Sequence, residues 1–129
     1  MKIHHIAIWV RDIEKAKEFY EKYFNASCGE KYVNEKKHFT SYFLTFKGEG
    51  TKLELMHNPD IIEDVEQKAY SIGLTHMAFS VGGKSLVDEL TETLRADGYR
   101  IVGEPRTTGD GFYESVVEDT EGNRIEITE

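Results

Sequence analysis

The chain reads as an α+β protein: two tandem βαβββ modules whose strands form a curved mixed sheet, a cup, with the helices on its outer face. Two long-range repeats predict this. His5-Ile6-Ala7-Ile8-Trp9-Val10 reappears as His76-Met77-Ala78-Phe79-Ser80-Val81, an offset of 76 − 5 = 71. Leu53-Glu54-Leu55 reappears as Ile125-Glu126-Ile127, an offset of 126 − 54 = 72. A third observation is that each hexapeptide leads into a segment of helical period, while each acidic tripeptide closes its half.

Each element has its own signature along the chain. After the first strand, Asp12 is the expected N-cap, and Ile13, Ala16, Phe19, Tyr20, Tyr23 and Phe24 recur at helical spacing. Strand-like runs then cover Phe39 to Phe46 and Lys52 to His57, around the turn Lys47-Gly48-Glu49-Gly50. A linker at about 58–73 contains Ile61, Ile62, Val65 and Ala69, at the spacing of a short helix. In the second half, Ser85-Leu86-Val87-Asp88 resembles a capping box, Leu86, Leu90 and Leu94 form the apolar stripe, and Gly98 is the stop. Strands are expected over Tyr99 to Gly103, Phe112 to Glu118 and Arg124 to Thr128, the last two joined by the turn Asp119-Thr120-Glu121-Gly122-Asn123. The 129 residues thus make one domain, with module 1 at about 1–57 and module 2 at about 74–129, long enough to bury a continuous core.

The bulk composition excludes several function classes. A net charge of −8 without a Lys/Arg cluster argues against nucleic acid and anionic membranes as partners. No apolar run approaches the roughly 18 residues of a bilayer span. The N-terminus runs directly into a strand pattern without a signal-peptide apolar region, so a cytoplasmic location is expected. The single cysteine, Cys28, allows no intrachain disulfide, in keeping with a reducing compartment, and reads as an inert, semi-buried thiol.

Strand parity picks out the candidate site. Side chains alternate across a strand, so Ile6, Ile8 and Val10 oppose His5, Ala7 and Trp9, while Met77, Phe79 and Val81 oppose His76, Ala78 and Ser80. Leu53 and Leu55 oppose Glu54, and Ile125 and Ile127 oppose Glu126. The uniformly apolar face packs on the helices, and the concave face carries two His and two Glu. A lone strand His or Glu is ordinarily structural; the symmetric repetition of both is what marks His5, Glu54, His76 and Glu126 as ligands of one divalent metal. Imidazole and carboxylate donors suit a borderline ion, Zn or Ni foremost, with Co, Mn or Fe as alternatives, and the lack of thiolates argues against a closed structural zinc site. His4 and His57 fall on the opposite parity, and His38 reads as an exposed loop residue.

The opening His-Ile-Ala-Ile-Trp-Val with its Phe-Tyr helix resembles the vicinal oxygen chelate superfamily. So do the mid-chain His-Met-Ala-Phe-Ser-Val and the closing Glu-Asp-x-x-Gly-Asn-x-Ile-Glu. The resemblance covers essentially the whole chain and implies the glyoxalase/bleomycin resistance fold. The superfamily includes glyoxalase I, methylmalonyl-CoA epimerase, extradiol dioxygenases, and fosfomycin-resistance and bleomycin-binding proteins. Within it, a His/Glu/His/Glu set looks most like bacterial glyoxalase I. The resemblance then implies a lyase or isomerase acting on a small α-oxo or α-hydroxy-carbonyl compound by proton abstraction and enediolate stabilisation, with Glu126 as base and Glu54 as its counterpart. Asn58, in Glu54-Leu55-Met56-His57-Asn58, corresponds to the residue that contacts the glutathione glutamyl group. The chain departs from the pattern at Trp9, where glutathione-binding relatives carry Arg, and at Pro59, which argues against a glutathione adduct. Trp9, Asn58, Arg106 and Tyr113 are the substrate-binding candidates. Arg106, in the Gly-rich loop Pro105-Arg106-Thr107-Thr108-Gly109-Asp110-Gly111, is placed to hold a carboxylate or phosphate; Tyr113 shares a parity with Ser115 that would line the cup. The competing readings are a drug- or metabolite-binding resistance protein that needs no metal, and an oxygenase or transferase using part of the ligand set. The expected partners are a small-molecule substrate and a second copy of the chain in a homodimer.

Overall fold

A computed structural model of the chain describes residues 1–48, 50–62, 69 and 72–129. It divides into two compact units, Met1–Glu63 and Asp64–Glu129.

In the first unit, β1 (His5–Trp9) leads into α1 (Ile13–Phe24), followed by β2 (Ser27–Cys28), β3 (Tyr32–Asn34), a 3₁₀ turn (Glu35–Lys37), β4 (Phe39–Thr45) and β5 (Lys52–His57). The sheet order is β1-β5-β4-β2, with β3 also pairing β4. The βαβββ pattern holds, but its first strand after the helix is broken into β2 and β3, both antiparallel to β4. Runs of two and three residues carry no periodicity, so this strand is invisible in the sequence. The Asp12 carboxylate caps α1 by accepting from the Lys15 amide at 3.0 Å. Ile13, Ala16, Phe19, Tyr20 and Tyr23 are buried, and α1 packs on β4 and β5, against Leu44, Leu53 and Leu55.

The second unit runs β6 (His76–Ser80), α2 (Lys84–Ala96), β7 (Ile101–Thr107), β8 (Tyr113–Glu118) and β9 (Arg124–Thr128), in the sheet order β6-β9-β8-β7. The helix differs from expectation at its start. It begins at Lys84 after Gly83, with no side-chain cap bond among the described residues. Its inward stripe is Val87, Thr91 and Leu94, while Leu86 is 44% exposed. The stop is as expected: Gly98, at φ +86, closes a Schellman motif in which Tyr99 N–H donates to the Leu94 carbonyl and Gly98 N–H to that of Arg95.

Strand β7 corrects the reading of Pro105-Arg106-Thr107 as loop, because the strand continues through Thr107. Proline lacks an N–H and is tolerated in a sheet only at an edge or a bulge. β7 is an edge strand, and its pairing with β8 slips twice, between Ile101 and Gly103 and between Gly103 and Arg106. In the linker, Ile61 and Ile62 are exposed and lie outside any helix; Val65 is outside the described residues. Among the described residues no helix is long and apolar enough to cross a membrane.

Candidate functional site

The parity inferred from sequence holds in all four strands that carry candidate ligands. Ile6 and Ile8 are less exposed than His5, Ala7 and Trp9, and Met77 and Phe79 less than His76, Ala78 and Ser80. In β5 and β9 the buried positions are Leu53, Leu55, Ile125 and Ile127. Each His strand runs parallel to its Glu strand, which needs the intervening helix as crossover. The registers coincide: Ala7 pairs with Glu54, and Ala78 with Glu126. Each histidine therefore sits two residues before the position opposite its glutamate, on the same face.

The result is two matching pairs. His5 Nε2 lies 3.7 Å from Glu54 Oε2, and His76 Nε2 lies 3.2 Å from Glu126 Oε2. In both, the imidazole is 40% exposed and the carboxylate more buried, at 14% and 21%. Among the described residues no three His, Cys, Asp or Glu side chains gather as a metal-binding group. The structure thus brings the four expected ligands together as one pair per unit.

Surroundings fix the orientation of the His5 ring further. His5 Nδ1 is 2.9 Å from His4 Nδ1 and its ring meets Phe43 edge-on at 5.4 Å, so Nε2 is the nitrogen left to face Glu54. His4 thus belongs to the site's surroundings, which parity alone did not indicate. His57 uses Nδ1 on the Val10 carbonyl at 3.0 Å, and His38 is an exposed cap residue in left-handed conformation. The hairpin that presents Glu126 is held by Asp119, a buried carboxylate accepting from the amides of Glu121 and Asn123 and from the Asn123 side chain at 2.8–2.9 Å. Burial pushes the Cys28 thiol up from its ordinary value, in keeping with an inert thiol.

The remaining candidates separate. Trp9, 43% exposed, shares the face of His5 and meets Phe39 edge-on at 6.1 Å. Asn58 uses both ends of its amide in the local turn, donating to the Lys37 carbonyl and accepting from the Asp60 amide. Tyr113 and Ser115 do not line the ligand face. The Tyr113 hydroxyl donates to Asp88 of α2 at 2.8 Å, and Ser115 is fully buried against Thr91 of the same helix. The alternate residues of β8, Glu114 and Val116, share the face of Glu126, with Val116 directly opposite it. Glu114 was not foreseen. Burial first, then the negative charge of Glu126, raises its pKa, and Arg106 Nη2 stands 3.7 Å from its carboxylate.

Known proteins resemble this chain in sequence and in fold. The protein YqjT of Bacillus subtilis (strain 168), itself uncharacterised, is 30% identical over 128 residues, covering 97% of this chain and 96% of its own. The structure of a possible glyoxalase from Bacillus cereus superposes with a TM-score of 0.71 at 26% identity, covering 99% of this chain and 98% of that one. Glyoxalase I from Zea mays matches in fold, with a TM-score of 0.77 at 23% identity over 98% of this chain; the chain spans only 44% of the maize protein. Residues 2–127 match the profile of one family over nearly the whole length, and the chain belongs to the Glyoxalase/Bleomycin resistance protein/Dioxygenase superfamily.

Proposed function

We propose that the protein is a metal-dependent lyase or isomerase of the glyoxalase I type, acting on a small α-oxo or α-hydroxy-carbonyl compound. The observation that carries this reading is the duplicated His–Glu pair, set on the same face at the same strand register in both units. The donor set fits a borderline divalent ion such as Zn or Ni: two imidazole nitrogens, two carboxylates and no thiolate. His5, Glu54, His76 and Glu126 would hold it, one pair from each module, drawn from one chain or from two chains of a homodimer.

A bound divalent ion supplies Lewis acidity, which makes a proton α to a carbonyl more acidic. The chain's residues do the rest. Glu126 accepts that proton from the hydroxyl-bearing α carbon and returns it to the former carbonyl carbon, while the hydroxyl proton passes to the former carbonyl oxygen, so that hydroxyl and carbonyl exchange places with no net change of proton or charge. His76, 3.2 Å away, orients the carboxylate, and Glu54 with His5 repeats the arrangement in the first module. Trp9 offers a flat apolar wall beside His5 in place of a cation, which favours a small substrate over a glutathione adduct.

Metal content after chelator-free purification tests the reading. The expected result is one transition ion per four-ligand set, with His5→Ala and His76→Ala each weakening binding of added Ni²⁺ by more than the ~10–100-fold typical of losing a residue that merely supports a ligand. Two independent weak sites, or none, would end it. Mixing the two variants locates the set: a dimer with cross-chain sites recovers one complete site, whereas intrachain sites recover none. A binding protein of the same fold is favoured by one feature, the exposed rings of Trp9 and Tyr32; it predicts capture of an aromatic ligand independently of metal.

A further inference from the structure

We infer that Arg106 is an anion anchor and that the substrate is an oxo compound carrying a separate anionic group, a carboxylate or phosphate, beyond its metal-chelating oxygens. This deepens the function proposed above and rests on it.

The anchor is built by the irregularity of β7. Glu104 points to the helix side, where Arg95 of α2 pairs with it. Strict alternation would put Arg106 on that side too. The slip between Gly103 and Arg106 breaks the alternation, because Gly103 stands opposite Val116 and Arg106 opposite Glu114, three residues of β7 against two of β8. An extra residue in one strand turns the side chains beyond it to the other face. The guanidinium is thereby carried onto the face of His76 and Glu126.

Its seat is shaped as well. A Cβ at Gly103 would stand 3.2 Å from Arg106 Nη1 and 3.2 Å from Val116 Cγ2, so the guanidinium lies across a glycine beside the residue opposite Glu126. Among the described residues it makes no hydrogen bond. Its ionic partner is Glu114 at 3.7 Å, longer than a hydrogen bond, and its side chain is half exposed. A guanidinium has five N–H donors in a planar fork that matches a carboxylate or phosphate. Here the fork lies on the face of His76 and Glu126 with Glu114 beside it and, among the described residues, its N–H donors make no hydrogen bond.

The test is calorimetric titration of Co²⁺-loaded protein with 2-oxoglutarate and with 2-oxopentanoate, which has the same chain length without the distal carboxylate. Wild type is expected to prefer 2-oxoglutarate by ~10-fold or more, the scale of a charge-assisted hydrogen bond. Arg106→Gln should abolish the preference while leaving 2-oxopentanoate affinity intact. Gly103→Ala, which keeps the charge but crowds its seat, should reduce it. Dihydroxyacetone phosphate against dihydroxyacetone repeats the comparison for phosphate, and an Arg106-dependent preference in either pair supports the anchor. No preference in wild type for either anion, or one that survives Arg106→Gln, overturns the anchor and leaves the metal-site reading standing. Failure of the protein to bind Co²⁺ at all overturns both.

Discussion

The two modules repeat a His–Glu pair and surround it differently. Register equates their positions: Phe43 stands opposite Glu54 as Val116 does opposite Glu126, Ser41 opposite Met56 as Glu114 does opposite Thr128, and Tyr32 beside Ser41 as Arg106 does beside Glu114. In module 1 these places hold Phe43, Ser41 and Tyr32, and rings surround the pair, with Phe43 against His5 and Tyr32 and Trp9 both against Phe39. In module 2 the same places hold valine, glutamate and arginine. One module thus presents rings on the face of its His–Glu pair and the other a guanidinium.

The largest expected effect breaks the symmetry of the carboxylates themselves. If Glu126 is the base, Glu126→Gln lowers kcat, measured on an α-hydroxy-carbonyl compound that the wild type turns over, by ~10²–10⁴-fold. Its unfolding midpoint should stay near wild type, since the side chain is partly exposed and outside the core. Glu54→Gln should cost distinctly less. Equal losses would mean that both carboxylates move protons and that the modules are equivalent in chemistry as well as in placement.

Much of this was legible in the sequence, for reasons that particular residues show. The repeat and the alternation about Ile6-Ile8, Leu53-Leu55 and Ile125-Ile127 put His5, Glu54, His76 and Glu126 opposite the buried face of their strands, because a strand's period of two leaves little freedom once one face is buried. What escaped was whatever depended on breaking a period. Pro105 reads as a terminator, yet an edge strand with a bulge accommodates it, and the same bulge carries Arg106 to the ligand face. The stripe of α2 was drawn through Leu86, the more apolar residue, but the sheet receives Val87 and Thr91, because Ser115 supplies the partner that makes a buried threonine tolerable. Tyr113 and Ser115 share the buried face with Val117, an alignment that was available in the pattern and outweighed by their polarity.

The helix–sheet contacts differ in kind too, and this difference is expected to register next in size. Thr91 donates to the Val87 carbonyl at 2.6 Å and meets Ser115 Oγ at 2.7 Å, all of it buried. Thr91→Val keeps the shape but strands the Ser115 hydroxyl, at a cost of ~1–3 kcal/mol. The double variant Thr91→Val/Ser115→Ala removes both partners and should recover most of that loss in urea unfolding. A double variant as unstable as the single would show that packing, and not the hydroxyl pair, sets the contact.

At the register place of Ser115, module 1 has Tyr42, whose hydroxyl donates to Glu14 of α1 at 3.1 Å while Lys31 donates to the same carboxylate at 2.9 Å. This brace is charged and half exposed, so its effect is the smallest and is screened by salt. Lys31 foremost, with Tyr42, holds the Glu14 carboxyl below its ordinary value. A carboxylate with a depressed folded-state pKa binds protons less readily than in the unfolded chain, so its stabilisation is present above the unfolded value and is lost as pH falls through the folded one. Glu14→Gln should therefore be less stable than wild type at neutral pH, with the gap closing on acidification and narrowing in high salt. The Thr91–Ser115 pair carries no charge, and the cost of Thr91→Val should not follow pH or salt in that way. A Glu14→Gln deficit that stayed constant from neutral to strongly acidic pH would mean that the module 1 brace works by packing of Tyr42 and not by the carboxylate's charge.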